Sequence, residues 1–264
     1  MRDLHRASRG RVPVMVAPGN GDVFSCAADD QCGCACDYSK RFTMPCPQTD
    51  PTCVGTALLE TNTAYWSAWS LGPVHFIQLD SEAVFWCQAG HNNTRQIEWL
   101  AAELARANQP EARATQPWVI AYVHRPLWTS QKGSGPDCNA TENSRMREVF
   151  EKLLHEGGVD LVLTGHNHMY ERTWPVYNGT VYNGTANPDD PYDHPGAAVH
   201  IVSAAGGNGE SMSPFDDVQP PFAAFRSTNN GKYLTYVATN RLGAMMTVDD
   251  SLIFDFTRQT PGPQ

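Results

Sequence analysis

The sequence Leu-Val-Leu-Thr-Gly-His-Asn-His-Met-Tyr-Glu-Arg, residues 161–172, is the stretch that decides the fold. Five apolar or β-branched residues lie between Gly157-Gly158 and Gly165, which is the length and the bounding expected of a buried strand. Two histidines, His166 and His168, follow directly at its carboxyl end. In open α/β sheets, ligands bind just outside the carboxyl ends of the strands. The two imidazoles therefore suggest a metal site.

Two further runs extend this hypothesis. Trp118–Val123 reads as a second strand and ends at His124, and Val12–Pro18 reads as a third strand and ends at Gly19-Asn20. Parallel neighbouring strands would bring Asn20, His124 and the His166/His168 pair to one edge of the sheet. A His-x-His pair alone is more often a surface or core feature, so the convergence carries the site hypothesis.

The remaining periodicity predicts a layered α/β protein. Apolar residues at one-face helical spacing, Ile97, Leu100, Ala101 and Leu104, predict a helix over Thr94–Ala107 with these residues in the core. The same spacing predicts a helix over Glu142–Glu156 that ends at Gly157-Gly158. Strand-like runs alternate with these helices, which is typical of layered α/β architecture; they are Val74–Leu79, Trp118–Val123, Val159–Thr164 and Val199–Ala204. Tyr177–Pro195 reads as an irregular loop, and Lys232–Phe256 as further strands.

Composition sets the class of protein and limits its partners. With 264 residues, 41% hydrophobic and 18% charged, the chain can bury one full core, and we expect a single domain over 1–264. No run of about 18 apolar residues exists, so no membrane span is expected. The formal net charge of −9 disfavours nucleic acid as a partner, because that affinity comes from clustered Lys and Arg.

A Cys-rich insertion occupies about residues 22–55. It contains six of the eight cysteines, which are Cys26, Cys32, Cys34, Cys36, Cys46 and Cys53. The Cys-x-Cys-x-Cys spacing could bind zinc or copper through thiolates, but disulfides are favoured if the protein is secreted. Six cysteines allow 15 pairings, so the connectivity stays open.

Glycosylation sequons point to the secretory route. Four Asn-x-Thr sequons occur, at Asn92, Asn139, Asn178 and Asn183. The first ten residues include basic side chains but no apolar core, so they do not form a signal peptide. An amino-terminally truncated form of a longer secreted protein is the economical expectation.

Three blocks carry a resemblance to a known family: Pro18–Asn20, Ala121–Pro126 and Gly165–Arg172. They resemble the last three of the five sequence blocks of the purple acid phosphatases, within the metallophosphoesterase superfamily, and the likeness runs from about Val12 to about Phe256. The resemblance implies a four-layer sandwich of two β-sheets flanked by helices, here lacking its first βαβ segment and incomplete at the amino terminus. It also implies a secreted or vacuolar/lysosomal location.

The resemblance further implies a two-metal phosphomonoester hydrolase that acts on small phosphomonoesters. Asn20, His124 and His166 match ligands of the divalent ion, which is Zn, Mn or Fe, and His168 matches a ligand of the iron(III) site. Three side chains close to the ligands are implied to support them; these are Asp22, Tyr170 and Arg172.

Two departures from the family pattern predict impaired hydrolysis. The family's metal-binding aspartates and tyrosine belong to blocks that precede the Gly-Asn motif, and only nineteen residues precede Asn20 here. In addition, Gly21 replaces the histidine that contacts phosphate in the family. The alternative function is therefore a noncatalytic secreted glycoprotein that uses the same scaffold to bind a partner. Asp80 and Glu82 are expected to cap and orient neighbouring groups, although Asp80 could also approach the metals.

Overall fold

A computed structural model describes most of the chain. The described residues are 15–23, 38, 42, 65–85, 93–132, 144–182, 192, 195–205 and 211–228, together with the strand backbones of 238–240, 243–248 and 252–256. All eight cysteines lie outside the described residues, as do three of the four sequons. The predicted disulfides and glycosylation at Asn92, Asn139 and Asn183 therefore stay predictions.

Helices and strands alternate along the described chain. The helices are α1 (Asn20–Val23), α2 (Glu82–Phe85), α3 (Asn93–Ala107), α4 (Pro110–Thr115), the π-helical α5 (Arg147–Glu151) and α6 (Lys152–Glu156). The strands of the first half are β1 (Ser67–Leu71), β2 (Val74–Gln78), β3 (Trp118–Val123), β4 (Leu161–Thr164), β5 (Tyr170–Thr173) and β6 (Val176–Tyr177). The later strands are β7 (Thr180–Val181), β8 (Val199–Ser203), β9 (Ala223–Ser227), β10 (Ala238–Asn240), β11 (Gly243–Val248) and β12 (Leu252–Phe256).

A seven-stranded sheet forms the centre of the structure, in the order β1-β2-β3-β4-β8-β5-β9. Strands β2, β3, β4 and β8 are parallel neighbours, whereas β1, β5 and β9 pair antiparallel at the two sides. The four parallel strands are rich in Val, Ile and Leu and are buried on both faces, as parallel strands are. All four strands that the sequence predicts for this core are confirmed within two residues at each end. β10, β11 and β12 form a separate antiparallel sheet.

Each face of the large sheet has its own hydrophobic core. Alternate residues of β3 point to opposite sides, so Val119 packs with the α3 and α6 side chains Leu100 and Leu154. Ile120 packs on the other face, with Leu161 and Ile201. The buried layers on both sides fit the layered architecture that the sequence predicts.

The predicted helix Thr94–Ala107 is confirmed as Asn93–Ala107, but its buried face differs from the prediction. The sequence pattern placed Ile97 and Ala101 in the core with Leu100 and Leu104, whereas Ile97 is half-buried and Ala101 is exposed. Gln96 is buried instead. Its carboxamide is bonded to the backbone of Asp80, which rotates the buried face by one residue.

The predicted helix Glu142–Glu156 is also confirmed over its described part, residues 144–156. Met146, Phe150 and Leu154 form its buried face. The helix ends at Gly157-Gly158 as expected, and Gly158 takes a left-handed backbone with φ +60°.

Two sequence predictions for irregular and extended segments need correction. The described part of Val12–Pro18, residues 15–18, forms no strand. Pro18 lacks the amide that a ladder position requires, which explains part of this difference. Tyr177–Pro195 is not wholly irregular, because β6 and β7 form a short hairpin at its start. In the described part of the chain, no helix is both long and apolar enough to cross a membrane.

Candidate metal centre

The ends of β3 and β4 bring two histidines together. The strands are parallel with Val123 paired to Thr164, so the residues that follow both of them lie at the same edge. The Gly165 amide donates to the His124 carbonyl at 2.9 Å, which extends the ladder past the last strand residue. His166 comes next, with a left-handed backbone of φ +65° that turns the chain out of the strand direction.

Three side chains converge at this edge. His124 Nε2 lies 2.7 Å from Asn20 Oδ1 and 3.1 Å from His166 Nδ1. The two imidazole rings are 5.0 Å apart at their centroids and inclined by 72°. The Asn20 amide oxygen and a His166 ring nitrogen therefore both lie within hydrogen-bond distance of His124 Nε2, although Asn20 is 104 residues distant from His124 in sequence.

A glycine makes the approach of Asn20 possible. A Cβ atom at Gly19 would lie 2.9 Å from the His124 ring, closer than real Cβ contacts come. The Gly19 amide donates to Asp22 Oδ2 at 2.9 Å, and the Asp22 amide donates back to the Gly19 carbonyl. Asp22 therefore supports the turn that carries Asn20, and its support of a metal stays a prediction.

His168 is positioned by its backbone. Its amide donates to Ser213 Oγ at 2.9 Å, and its carbonyl accepts from the Ser213 amide at 3.0 Å. Its influence on His124 is electrostatic: burial, together with the charges of Arg125 and His168, lowers the pKa of His124 to about 4. His124 is therefore neutral, which leaves a ring nitrogen able to bind a cation.

The converging donors do not form the usual cluster of His, Cys, Asp and Glu ligands. Among the described residues, no group of three or more His, Cys, Asp or Glu side chains is close enough together to hold a metal ion. The converging set reaches three donors only because Asn20 contributes an amide oxygen. The structure therefore brings Asn20, His124 and His166 into contact, and the role of His168 as a ligand stays a prediction.

Tyr170 and Arg172, the other expected supporting residues, lie on β5. Tyr170 is buried and packs at 5.9 Å from Phe225, centroid to centroid. The Arg172 guanidinium lies 5.1 Å from the centre of the Tyr192 ring, and burial lowers its pKa. Tyr170 belongs to the hydrophobic core on one face of the sheet and Arg172 is half-buried, and the support of a metal by either side chain stays a prediction.

A buried polar network lies behind His124, and most of its contacts were not predicted from the sequence. Arg125 and Glu82 are 1% and 2% exposed and form a two-point ion pair, with Nε–Oε1 at 2.8 Å and Nη2–Oε2 at 3.0 Å. Ser81 Oγ donates to Glu82 at 2.9 Å and accepts from the Arg125 amide at 3.2 Å. The only sequence signal was the polar run Asp80-Ser81-Glu82 after an apolar strand.

Asp80 caps α2, as expected from its place after a strand. Its Oδ1 accepts from the amides of Glu82 at 2.8 Å and Ala83 at 3.3 Å. Burial and the neighbouring charges of Glu82 and Asp22 raise the pKa of Asp80 to about 7, although the two backbone hydrogen bonds oppose the rise. Its capping oxygen is therefore fully engaged within the fold.

Glu171 anchors the loop that follows His124. This fully buried carboxylate accepts from Thr129 Oγ1 at 2.9 Å, from the Ser130 amide at 2.8 Å and from Ser130 Oγ at 2.6 Å. Burial raises its pKa, although these bonds oppose the rise. The segments that carry His124 and His168 are thereby tied together.

The fold and the site define an α/β protein with a candidate cation centre of oxygen and nitrogen donors at the carboxyl edge of a parallel sheet. The calcineurin-like phosphoesterase family matches residues 1–170. The chain belongs to this family. The metallophosphoesterase-type fold that the resemblance implies agrees with a solved structure, that of purple acid phosphatase PPD1 from yellow lupin seeds. That likeness has a TM-score of 0.64 at 22% identity and covers 92% of this chain and 39% of that one.

Curated relatives extend the family assignment. Acid phosphatase type 7 of Danio rerio is 34% identical, over 83% of this chain and 46% of its own length. Purple acid phosphatase 22 of Arabidopsis thaliana is 31% identical, over 74% of this chain and 37% of its own length. The chain thus spans less than half the length of these relatives.

Proposed function

We propose that this protein is a metal-dependent hydrolase of small phosphomonoesters, with a divalent Zn, Mn or Fe ion bound by Asn20, His124 and His166. The observation that carries the proposal is the convergence of these three donors at the carboxyl edge of the sheet, at 2.7 and 3.1 Å from His124 Nε2. Family membership and the names of the relatives point the same way.

The donor chemistry fits a borderline divalent ion. Imidazole nitrogen suits Zn, Fe and related ions, and an amide oxygen completes a neutral set. A divalent ion, when bound, supplies Lewis acidity toward a phosphoryl oxygen and an acidified water. The set does not fit iron(III), which favours anionic oxygen donors, so we propose no iron(III) role for His168 beyond the family expectation.

The chain's own groups set the limits of the reaction. Gly19 allows the Asn20 turn to approach the imidazole, and burial keeps His124 neutral. Gly21 has no side chain to contact phosphate or to donate a proton to the leaving group. Esters with weakly basic leaving groups should therefore react best, and overall turnover should be low.

The test is hydrolysis of p-nitrophenyl phosphate at acidic pH, with and without added Zn²⁺ or Mn²⁺. Turnover that depends on metal and disappears in His166→Ala would support the proposal. His155→Ala is the matched control, because His155 stacks on Tyr177 at 3.7 Å and shares no contact with the converging set. Turnover no higher than that of His166→Ala would leave the noncatalytic glycoprotein as the better account.

A secreted or vacuolar/lysosomal location remains part of the proposal. Asn178, the described sequon, is exposed in the turn between β6 and β7 and has a positive φ of 48°. An exposed turn can accommodate a glycan. Mass spectrometry of Asn178 in protein expressed through a eukaryotic secretory pathway would detect the modification.

A further inference from the structure

We propose that the buried network formed by Gln96, Asp80, Ser81, Glu82 and Arg125 is the positioning device of the metal centre, and that Ser81 is its key residue for His124. The inference rests on the proposed function for its metal-binding consequence. The structural part, that this network fixes the orientation of His124, can be tested without metal.

The network begins at α3, on the helical side of the sheet. Gln96 accepts from the Asp80 amide at 2.7 Å through Oε1 and donates to the Asp80 carbonyl at 3.0 Å through Nε2. These two hydrogen bonds resemble those that a neighbouring strand would make, and they fix the position of the backbone immediately after β2. A buried glutamine thereby locates the start of the Asp80–Glu82 turn.

Asp80 in turn fixes the position of Glu82. Its side chain caps the two amides at the start of α2, so the position of Glu82 follows from that of Asp80. Glu82 then holds the Arg125 guanidinium by two bonds. A planar guanidinium bound at two points has a fixed orientation as well as a fixed position.

Ser81 closes the network on the backbone next to His124. Its hydroxyl accepts from the Arg125 amide at 3.2 Å and donates to Glu82 Oε1 at 2.9 Å. The peptide group that joins His124 to Arg125 is therefore held by one hydroxyl, while the side chain of Arg125 is held by the carboxylate. Since Ser81 is fully buried, water cannot replace its hydroxyl readily.

Loss of this fixation should affect the centre more than it affects the fold. His124 Nε2 is the atom that faces both Asn20 and His166, so a small rotation of its peptide moves the shared donor. Groups that orient metal ligands in this way typically change metal affinity by about 10–100-fold.

The decisive comparison is Ser81→Ala against Ser67→Ala in the full chain. Ser67 is also a buried serine of this sheet, and its Oγ donates to Gln78 Oε1 at 2.8 Å, but its bond does not lead to His124. Both variants lose one buried hydroxyl, but Ser81→Ala breaks two hydrogen bonds and Ser67→Ala breaks one, so Tm should fall further in Ser81→Ala, and the comparison is made on His124 and not on Tm. Glu82→Gln is a second variant, which removes the charge of the carboxylate while keeping its shape.

Two measurements are needed on each variant. The first is the NMR spectrum of the His124 ring in metal-free protein at fixed pH, assigned with His124→Gln. The second is the Kd for Co²⁺ from spectroscopic titration. We expect Ser81→Ala to shift the His124 ring signals and to raise the Kd by about tenfold or more, whereas Ser67→Ala leaves both unchanged.

The inference is overturned if Ser81→Ala matches Ser67→Ala in the His124 spectrum. It is also overturned if the spectra differ but the two Kd values agree. If the unaltered protein binds no Co²⁺ at all, the proposed function is refuted, and the ring spectra alone then decide whether the network positions His124.

Discussion

Replacement of Asp80 by Asn should stabilise the protein at neutral and alkaline pH and leave it unchanged in acid. Asp80 is 2% exposed, and its charged form is disfavoured by burial and by the nearby carboxylates of Glu82 and Asp22. An asparagine keeps an Oδ1 atom that can accept from the two amides at the start of α2. The substitution therefore removes the buried charge and preserves the cap.

The magnitude follows from the pKa of Asp80, which burial raises from 3.8 to about 7. Between these two values the folded state binds more protons than the unfolded state, so the contribution of Asp80 to stability falls as the pH rises. The loss begins near pH 4 and is complete above pH 7. At about 1.4 kcal/mol for each pH unit, its ceiling is about 4 kcal/mol.

The assay is urea unfolding of the unaltered protein and of Asp80→Asn at intervals from pH 4 to pH 8. The free energy of unfolding of the variant, relative to the unaltered protein, should rise across this range by more than about 1 kcal/mol and by no more than the ceiling. Asp217→Asn is the control, because Asp217 is 86% exposed and its pair with Lys132 lies at the surface. Parallel curves for Asp80→Asn and the unaltered protein would refute the reasoning, since they would mean that Asp80 has an ordinary pKa.

Three further predictions concern the shape of the centre. Gly19→Ala should cost about 1–3 kcal/mol through overpacking and weaken Co²⁺ binding, whereas Gly21→Ala, with nothing within 4 Å of the new Cβ, should leave both unchanged in calorimetric titrations. His166→Gly should unfold with a free energy about 1 kcal/mol higher than His166→Ala, because only glycine adopts φ +65° without strain, and equal Tm values would contradict this. Glu171→Gln should destabilise the fold by about 1–3 kcal/mol, because the new NH2 group of the carboxamide would face the Thr129 and Ser130 groups that donate to the carboxylate. The exposed variant Glu98→Gln should change the urea midpoint little.

The sequence could predict the elements that depend on local pattern. β3 and β4 are continuous apolar runs, and the histidines that follow them sit at their carboxyl ends because parallel strands share one edge. His124 and His166 were therefore predictable as neighbours from two short segments. The helix over Asn93–Ala107 was predictable for the same reason, since its periodicity spans four turns.

The rest depends on pairs that are distant in sequence and polar. Hydrophobic spacing predicted that Ile97 faces the core. In the structure Gln96 is buried instead, because its carboxamide forms hydrogen bonds with the backbone of Asp80. Glu82 and Arg125 are 43 residues apart, and the sequence pattern of neither residue indicates that they pair. Only the folded structure shows that both are buried and that each compensates the other.

The carboxyl groups of Asp22, Asp80 and Glu82 make their contacts within the fold. Asp22 accepts from the Gly19 amide, Asp80 caps α2, and Glu82 neutralises Arg125. These three side chains are thus bound to other groups of the protein, at the same edge of the sheet where a cation would need anionic ligands. A divalent ion at the converging amide and imidazoles would keep most of its own charge, which weakens its binding but strengthens its attraction for a phosphate dianion. Substrate and metal should therefore bind together: inorganic phosphate should lower the Kd for Co²⁺ in the unaltered protein, and an unchanged Kd would show that the phosphate does not reach the ion.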